Sequence, residues 1–255
     1  MSDQYRRLKV ELHPTVARIT LNNPPLNIID AEMIDDLSLA LADIERRPGI
    51  VAVVFAGSER AFSAGVDIGS HDPDGFEPIL RKFHEVIGAI VNSRKLTIAT
   101  VRRHCLGGGA ELALMCDLIY CCPDAVFGFP EIKLASYAPV AMVALSAVIG
   151  QKRAAELLLT ARMVTAQEAH DMGLVNGVAG DPEIPMTETV ARVQQFSPAA
   201  LGIAKKAFYA WNAIHFDKGL ARSEQIYVDE LMKTEDAKEG IRAFVEKRRA
   251  KWVGK

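Results

Sequence analysis

The sequence predicts an α/β layered fold with a helical C-terminal part. Two observations carry this. Through the first half of the 255-residue chain, short apolar runs of strand character alternate with stretches of helical period. From Pro139 onward the character changes, and nearly every stretch reads as helix. The alternation places an α/β core over residues 1–180, and a helical region over 181–255.

The elements follow in order. "VARITLNN" (Val16–Asn23) alternates apolar and polar residues, as a half-buried strand does. "PPLNIID" turns the chain. Over Ala31–Arg46, Met33, Ile34, Leu37, Leu41 and Ile44 recur at helical spacing, and Asp30 stands where an N-cap belongs. Ile50–Ser58 is a continuous apolar run, suited to a strand covered on both faces. "GFEPILRKFHEVIGAIVNS" reads as an amphipathic helix and Leu96–Val101 as a short buried strand. Gly107–Gly109 then open another helix, followed by the apolar run "LIYCCPDAVFGFPE". Beyond Pro139, "VAMVALSAVIG", "QKRAAELLLTA", "TAQEAHDMG", Thr187–Gln195, "PAALGIAKKAFYAW" and "DAKEGIRAFVEKRRAKW" all have helical period. Phe196-Ser197-Pro198 is the clearest break among them.

Composition narrows the function classes. Apolar residues make up 49% of the chain, enough for a sizeable core. Thirty basic residues against 32 acidic ones, net −2, argue against a nucleic-acid or membrane-surface partner. The longest apolar stretches carry polar breaks and fall short of a bilayer span. "MSDQYRRLKVEL" has no apolar leader segment, so the expected location is cytoplasmic. Cys105, Cys116, Cys121 and Cys122 lack a C-x-x-C spacing and have apolar neighbours, which favours reduced core thiols over a metal site or disulfides.

The chemistry concentrates at "HCLGGGAELALMCD", His104–Asp117. A helix start offers unpaired N–H groups and a partial positive charge, and glycine lets a ligand approach that backbone. The Gly-Lys-Ser/Thr of a phosphate-binding loop is missing, as is G-x-G-x-x-G. A carbonyl oxygen that becomes negative during reaction suits the stretch, as does a tight turn needing small residues. "AFSAGVDI" (Ala61–Ile68) supplies a second small-residue turn after a buried strand. Two amides from these turns converging on one oxygen would form an oxyanion hole, where one donor is typically worth roughly 3–4 kcal/mol in the transition state.

"AFSAGVDI", "LGGGAELALMCDLIY" and "FGFPEIKL", in that order, resemble the enoyl-CoA hydratase/isomerase (crotonase) superfamily. "GQKRAAELLLTARMVTAQEAHDMGLVNGV" and "DAKEGIRAFVEKR" are similar to it as well, so the likeness runs from about Val10 to the C-terminus. The resemblance implies a spiral ββα core and a helical C-terminal region used for trimerisation, with trimers commonly paired as hexamers. It implies a coenzyme A thioester as substrate, with no separate cofactor and no metal. By position, the backbone N–H groups of Ser63 and Gly108 would hold the thioester oxygen, and Ser63, Ala64, Gly65, Val66 and Asp67 would line the path of the coenzyme.

Glu111 lies between "GGGA" and "LALMCDLIY", and Glu131 follows Pro130 after an apolar run; buried carboxylates without a role are costly. The resemblance makes both catalytic. Together they would hydrate an α,β-unsaturated acyl-CoA, the ionised one activating water for the β-carbon and the protonated one supplying the α-carbon.

The chain departs from the family after Glu131. Ordinary hydratases carry a glycine-rich run of the type G-x-x-P-G-x-G-G there, whereas this chain reads "ASYAPVAMVAL" and puts Tyr137 and Pro139 beside the acyl pocket. That run and "PPLNIID" look like the cyclic dienoyl-CoA hydratases, which act on cyclohexadiene-carbonyl-CoA; a linear substrate is the alternative. Isomerisation or acyl-CoA hydrolysis, and a non-catalytic scaffold, stand behind hydration. His71 and His84 have no metal-partner spacing and read as exposed positions, and His170 as structural. Arg102, Arg103, His104, Lys205 and Lys206 read as solvated or intersubunit charges, with contact to coenzyme A phosphates as the alternative.

Overall fold

The computed structural model describes residues 4–67 and 76–253, apart from the side chains of 76 and 211–215. The chain opens with an antiparallel pair, β1 (Leu8–Leu12) and β2 (Val16–Leu21), and crosses through α1 (Ala31–Glu45). Asp30 caps α1 as expected, its carboxylate accepting from Met33 N at 2.9 Å. Then a unit of strand, short strand and helix repeats. It runs β3 (Ala52–Ala56), β4 (Ala61–Ser63), α2 (Phe76–Asn92), then β5 (Leu96–Val101), β6 (His104–Leu106), α3 (Gly108–Leu114). In the next turn, β7 (Leu118–Cys121) and β8 (Val126–Gly128) are followed by a 3-10 turn over Pro130–Leu134.

Through β8, each longer strand joins one sheet and each three-residue strand another, which is the expected spiral. With β9 (Val164–Thr165) and β10 (Gly177–Val178), the sheets are ordered β1-β2-β3-β5-β7-β10 and β4-β6-β8-β9. Pairing is parallel from β2 through β10 and from β4 through β8. The short strands end at the small-residue turns, so neighbouring parallel partners deliver those turns side by side.

The helices of the second half are α4 (Pro139–Ile149), α5 (Gln151–Thr160), α6 (Ala166–Asp171), α7 (Glu183–Val193), α8 (Pro198–Asp229) and α9 (Glu235–Val245). β3 is buried along its whole length because both faces are covered. Val53 and Phe55 enter the main core, while Val54 packs with Ile98 under Met186 and Val190 of α7. Each such side chain is worth roughly 1.5–3 kcal/mol when fully buried. The segment beyond 181 is tied closely to the core: α7 lies on the larger sheet, α8 on α4 and α2, and α9 against the 3-10 turn. No described helix is long and apolar enough to cross a membrane.

Two sets of charges differ from expectation or resolve it. Lys205 is not a solvated helix-end charge. Its ammonium lies 2.7 Å from the Asp117 carboxylate, with both side chains under a tenth exposed, and also donates to Lys95 O at 2.9 Å. This pair pins α8 to the start of β7, where a lone buried charge would be strongly unfavourable. Arg102 pairs with Asp181 and Glu59, and Arg103 with Asp124, so acids of the same chain already answer these cations. All four cysteines are buried and unpaired, and burial pushes the Cys121 thiol up to about 12.

Candidate active site

The ends of β4 and β6, the stretch from Pro130 to Pro139, and residues of α8 and α9 enclose a mostly apolar cavity of about 610 Å³. The two small-residue turns meet at its head. A Cβ built on Gly109 would stand 2.5 Å from Ser63 Cβ, and one on Gly108 would stand 3.4 Å from Val66 N. At Gly109 a larger residue would displace Ser63, and at Gly108 it would run into Val66 Cγ2. Gly107 has a second requirement: its φ is +52°, and a Cβ there would run into the Glu131 carboxylate.

The amides of the first turn are individually accounted for. Ala64 N–H donates to Leu26 O at 3.0 Å, Gly65 N–H to Ser63 Oγ at 3.1 Å and Asp67 N–H to Ile29 O at 3.0 Å. Among the described residues, the Val66 N–H has no acceptor. The Gly108 N–H, first in α3, has no intrahelical acceptor either. Both residues line the cavity.

Ser63 therefore does not take the place expected of it. It is 0% exposed, so its amide cannot reach a ligand, and its hydroxyl braces the turn from behind. Ala64, Gly65, Val66, Asp67, Gly108, Tyr137 and Pro139 all line the cavity.

Both glutamates open onto this same cavity, held in different ways. Glu111 is 3% exposed, and its Oε1 accepts N–H groups from Val140 at 2.9 Å and Ala141 at 3.1 Å. It thus caps α4, whose first residue, Pro139, has no N–H to satisfy. Burial raises the Glu111 carboxyl above its ordinary range, and the charge of His84 and the two amides pull it back. Glu131 stands on the 3-10 turn with Oε2 shut off from solvent and without a partner among the described residues. Burial first, and the charge of Glu111 second, push its carboxyl up to about 8. Glu111 is thus given two donors that favour its charged form, while burial and a neighbouring charge favour the proton on Glu131.

The far wall is aromatic. Tyr137 and Tyr227 meet edge-on with ring centres 5.0 Å apart. Tyr137 OH donates to Ser223 O, and Tyr227 OH pairs with Ser136 Oγ, each at 2.6 Å. Both rings are thereby fixed in place.

Asn27 escaped the sequence reading, and Val66 and His84 were read in other roles. Val66 contributes through its amide, which its side chain does not advertise. Asn27 is buried and donates to Ala61 O and Phe62 O, tying the "PPLNIID" turn to β4; an asparagine beside a turn was the available signal. His84 is buried rather than exposed, its Nδ1 paired with Glu224 of α8. Its place inside the apolar period of α2 was the available signal. His170 sits in the last turn of α6, and His71 lies outside the described residues.

A family model described as enoyl-CoA hydratase/isomerase matches residues 11–255. The chain is 34% identical to "Cyclohexa-1,5-dienecarbonyl-CoA hydratase" of Thauera aromatica, with 99% of each chain covered. It is 37% identical to a "Probable enoyl-CoA hydratase" of Rhizobium meliloti, over 97% of this chain and 98% of the other. Among solved structures, an enoyl-CoA hydratase/isomerase from Xanthobacter autotrophicus Py2 superposes with a TM-score of 0.86 at 30% identity, covering 96% of this chain and 98% of that one. An enoyl-CoA hydratase from Mycobacterium avium subsp. paratuberculosis gives 0.87 at 26%, covering 98% and 99%.

Proposed function

The chain belongs to the enoyl-CoA hydratase/isomerase family and is a hydro-lyase of enoyl-CoA thioesters, and from that premise we propose how it works and on what. The thioester oxygen is held by the N–H groups of Val66 and Gly108. Glu111, ionised, takes a proton from water as the water oxygen bonds to the β-carbon. The π electrons move toward the thioester oxygen, where the two amides stabilise the enolate charge. Glu131, protonated, delivers its proton to the α-carbon and restores the carbonyl. Water that has lost one proton to Glu111 and a carbon that has gained one from Glu131 balance the addition.

The observation that carries this reading is that two unequal carboxyls and two free amides face one cavity. Within it we infer a cyclic acyl group, a cyclohexadiene-carbonyl thioester. The fixed Tyr137–Tyr227 wall suits a flat ring better than a flexible chain, and the Thauera aromatica relative is named for such a substrate. By the same family reading the C-terminal helices form a homotrimer or homohexamer, which the exposed Ile203 and Phe208 of α8 support.

The test offers linear and cyclic unsaturated acyl-CoA thioesters to the pure protein and follows loss of the conjugated absorbance. Turnover of the cyclic diene ahead of linear substrates is expected. Preference for linear substrates would overturn the ring assignment, and neither turnover nor thioester binding would overturn the site.

A further inference from the structure

Beside the two small-residue turns runs a third segment, Leu26–Ile29, from the stretch "PPLNIID". Its four residues alternate. Leu26 and Ile28 line the cavity, while Asn27 and Ile29 are buried outside it, 1% and 0% exposed. Asn27 stands at φ +52°, a left-handed conformation that asparagine adopts more readily than most residues. Both of its side-chain donors are taken within the chain. Nδ2 donates to Ala61 O at 3.0 Å and to Phe62 O at 3.1 Å, and Oδ1 accepts the Asn23 N–H at 3.1 Å. That is where the small sheet is irregular: the pairing of β4 with β6 slips between Ala61 and Ser63, which leaves Phe62 out of register.

The same segment grips the turn that follows β4. Leu26 O accepts the Ala64 N–H at 3.0 Å, Ile29 N–H donates to Gly65 O at 2.9 Å, and Ile29 O accepts the Asp67 N–H at 3.0 Å. The last two bonds make a parallel bridge in which Ile29 faces Val66. A residue bracketed in this way by its neighbours' bonds directs its own N–H and C=O to the opposite side. Gly108 lies close to that amide, since a Cβ built there would stand 3.4 Å from Val66 N.

We propose that Asn27 is a positioning residue for the oxyanion hole. Its clamp on the irregular end of β4, together with the Ile29 bridge, fixes the Val66 N–H on the thioester oxygen. The inference rests on the reading of Val66 and Gly108 as the two donors. An amide stabilises a developing charge best when it is in place before the charge forms. β4 has three residues and a slip in its pairing, so its end is held from outside the sheet.

The test compares wild type, Asn27→Gly and Asn27→Asp. Glycine keeps the left-handed bend and removes both donors. Aspartate keeps the size and sets an oxygen against the two carbonyls. One readout is kcat on a turned-over thioester. The others use cyclohexane-carbonyl-CoA, a saturated thioester that cannot be hydrated: its affinity, and its infrared carbonyl band when bound. Hydrogen bonds from the hole lower the frequency of that band. Both variants are expected to lose about 10–10²-fold in kcat, because a donor displaced by a fraction of an ångström to one ångström stabilises the enolate poorly. The bound band is expected to move toward that of the free thioester, with affinity near wild type. An unmoved band, with or without a fall in kcat, would make Asn27 a packing residue and overturn the proposal. Loss of thioester binding in the folded variants would count against it equally. If Asn27→Asp does not fold, Asn27→Gly decides by the same readouts. An unshifted band in wild type would sink the reading of Val66 and Gly108 themselves, and the role of Asn27 with it.

Discussion

Glu111 and Glu131 are the same residue type in one cavity, and everything that distinguishes them comes from the element each stands on. Glu111 belongs to a buried helix and caps a second one by accepting two of its amides. Glu131 stands on a 3-10 turn, has one buried oxygen without a donor among the described residues and faces the charge of its neighbour. Amides from another helix favour the charged form of Glu111, while burial and the charge of Glu111 outweigh the backbone hydrogen bond at Glu131. Environment assigns the roles, as the side chains by themselves do not.

The comparison breaks most sharply on removal of either acid. Glu111→Gln and Glu131→Gln are each expected to lower kcat by about 10²–10⁴-fold while thioester binding persists, measured by turnover and by calorimetry. Full turnover in either variant would remove the pair mechanism. Gly107→Ala comes next. A Cβ there meets the Glu131 carboxylate at a backbone φ of +52°, so Glu131 must move from its place; about a 10²-fold loss in kcat is expected, against an unchanged Glu111 titration.

Protonation sharpens the contrast. Because Glu131 must carry its proton, activity is expected to fall about tenfold per pH unit above its pKa of about 8. Glu131→Gln should lack that limb in whatever activity it retains. The smallest effect is on stability. A carboxyl at about 8 in the folded state and near its ordinary value of 4.5 when unfolded binds more protons when folded across that interval. The fold therefore loses stability as pH rises from about 4.5 to about 8. Glu131→Gln removes this penalty, and thermal unfolding should show a gain on the order of 2 kcal/mol at pH 9 and little at pH 5.

Much of the layout was legible because it is local. The spacing of Met33, Ile34, Leu37, Leu41 and Ile44 marked α1, and Asp30 its cap. The unbroken apolar run over Ile50–Ser58 marked a strand covered on both faces, which α7 and the main core provide. β1 went unread although Leu8, Val10 and Leu12 alternate with Lys9 and Glu11 as in a half-buried strand. β4, β6 and β8 have three residues each, too few to show an alternation. "PAALGIAKKAFYAW" was read as its own stretch, whereas α8 runs unbroken to Asp229 and so carries Tyr227 into a cavity otherwise lined by residues between 26 and 139, Met232 and α9.

By itself the sequence determined which pieces exist: two turns of small residues, two acids in apolar settings, a tyrosine and a proline in a stretch that is glycine-rich in ordinary hydratases. Those are matters of residue type and spacing, written along the chain. Only the tertiary structure decided that Val66 rather than Ser63 presents its amide, that His84 is buried against Glu224, and that the two acids differ in proton affinity. A free N–H is one that no distant carbonyl has claimed, and a carboxyl's ionisation is set by burial and charges brought from other helices. Both properties arise from contacts between residues far apart in the chain.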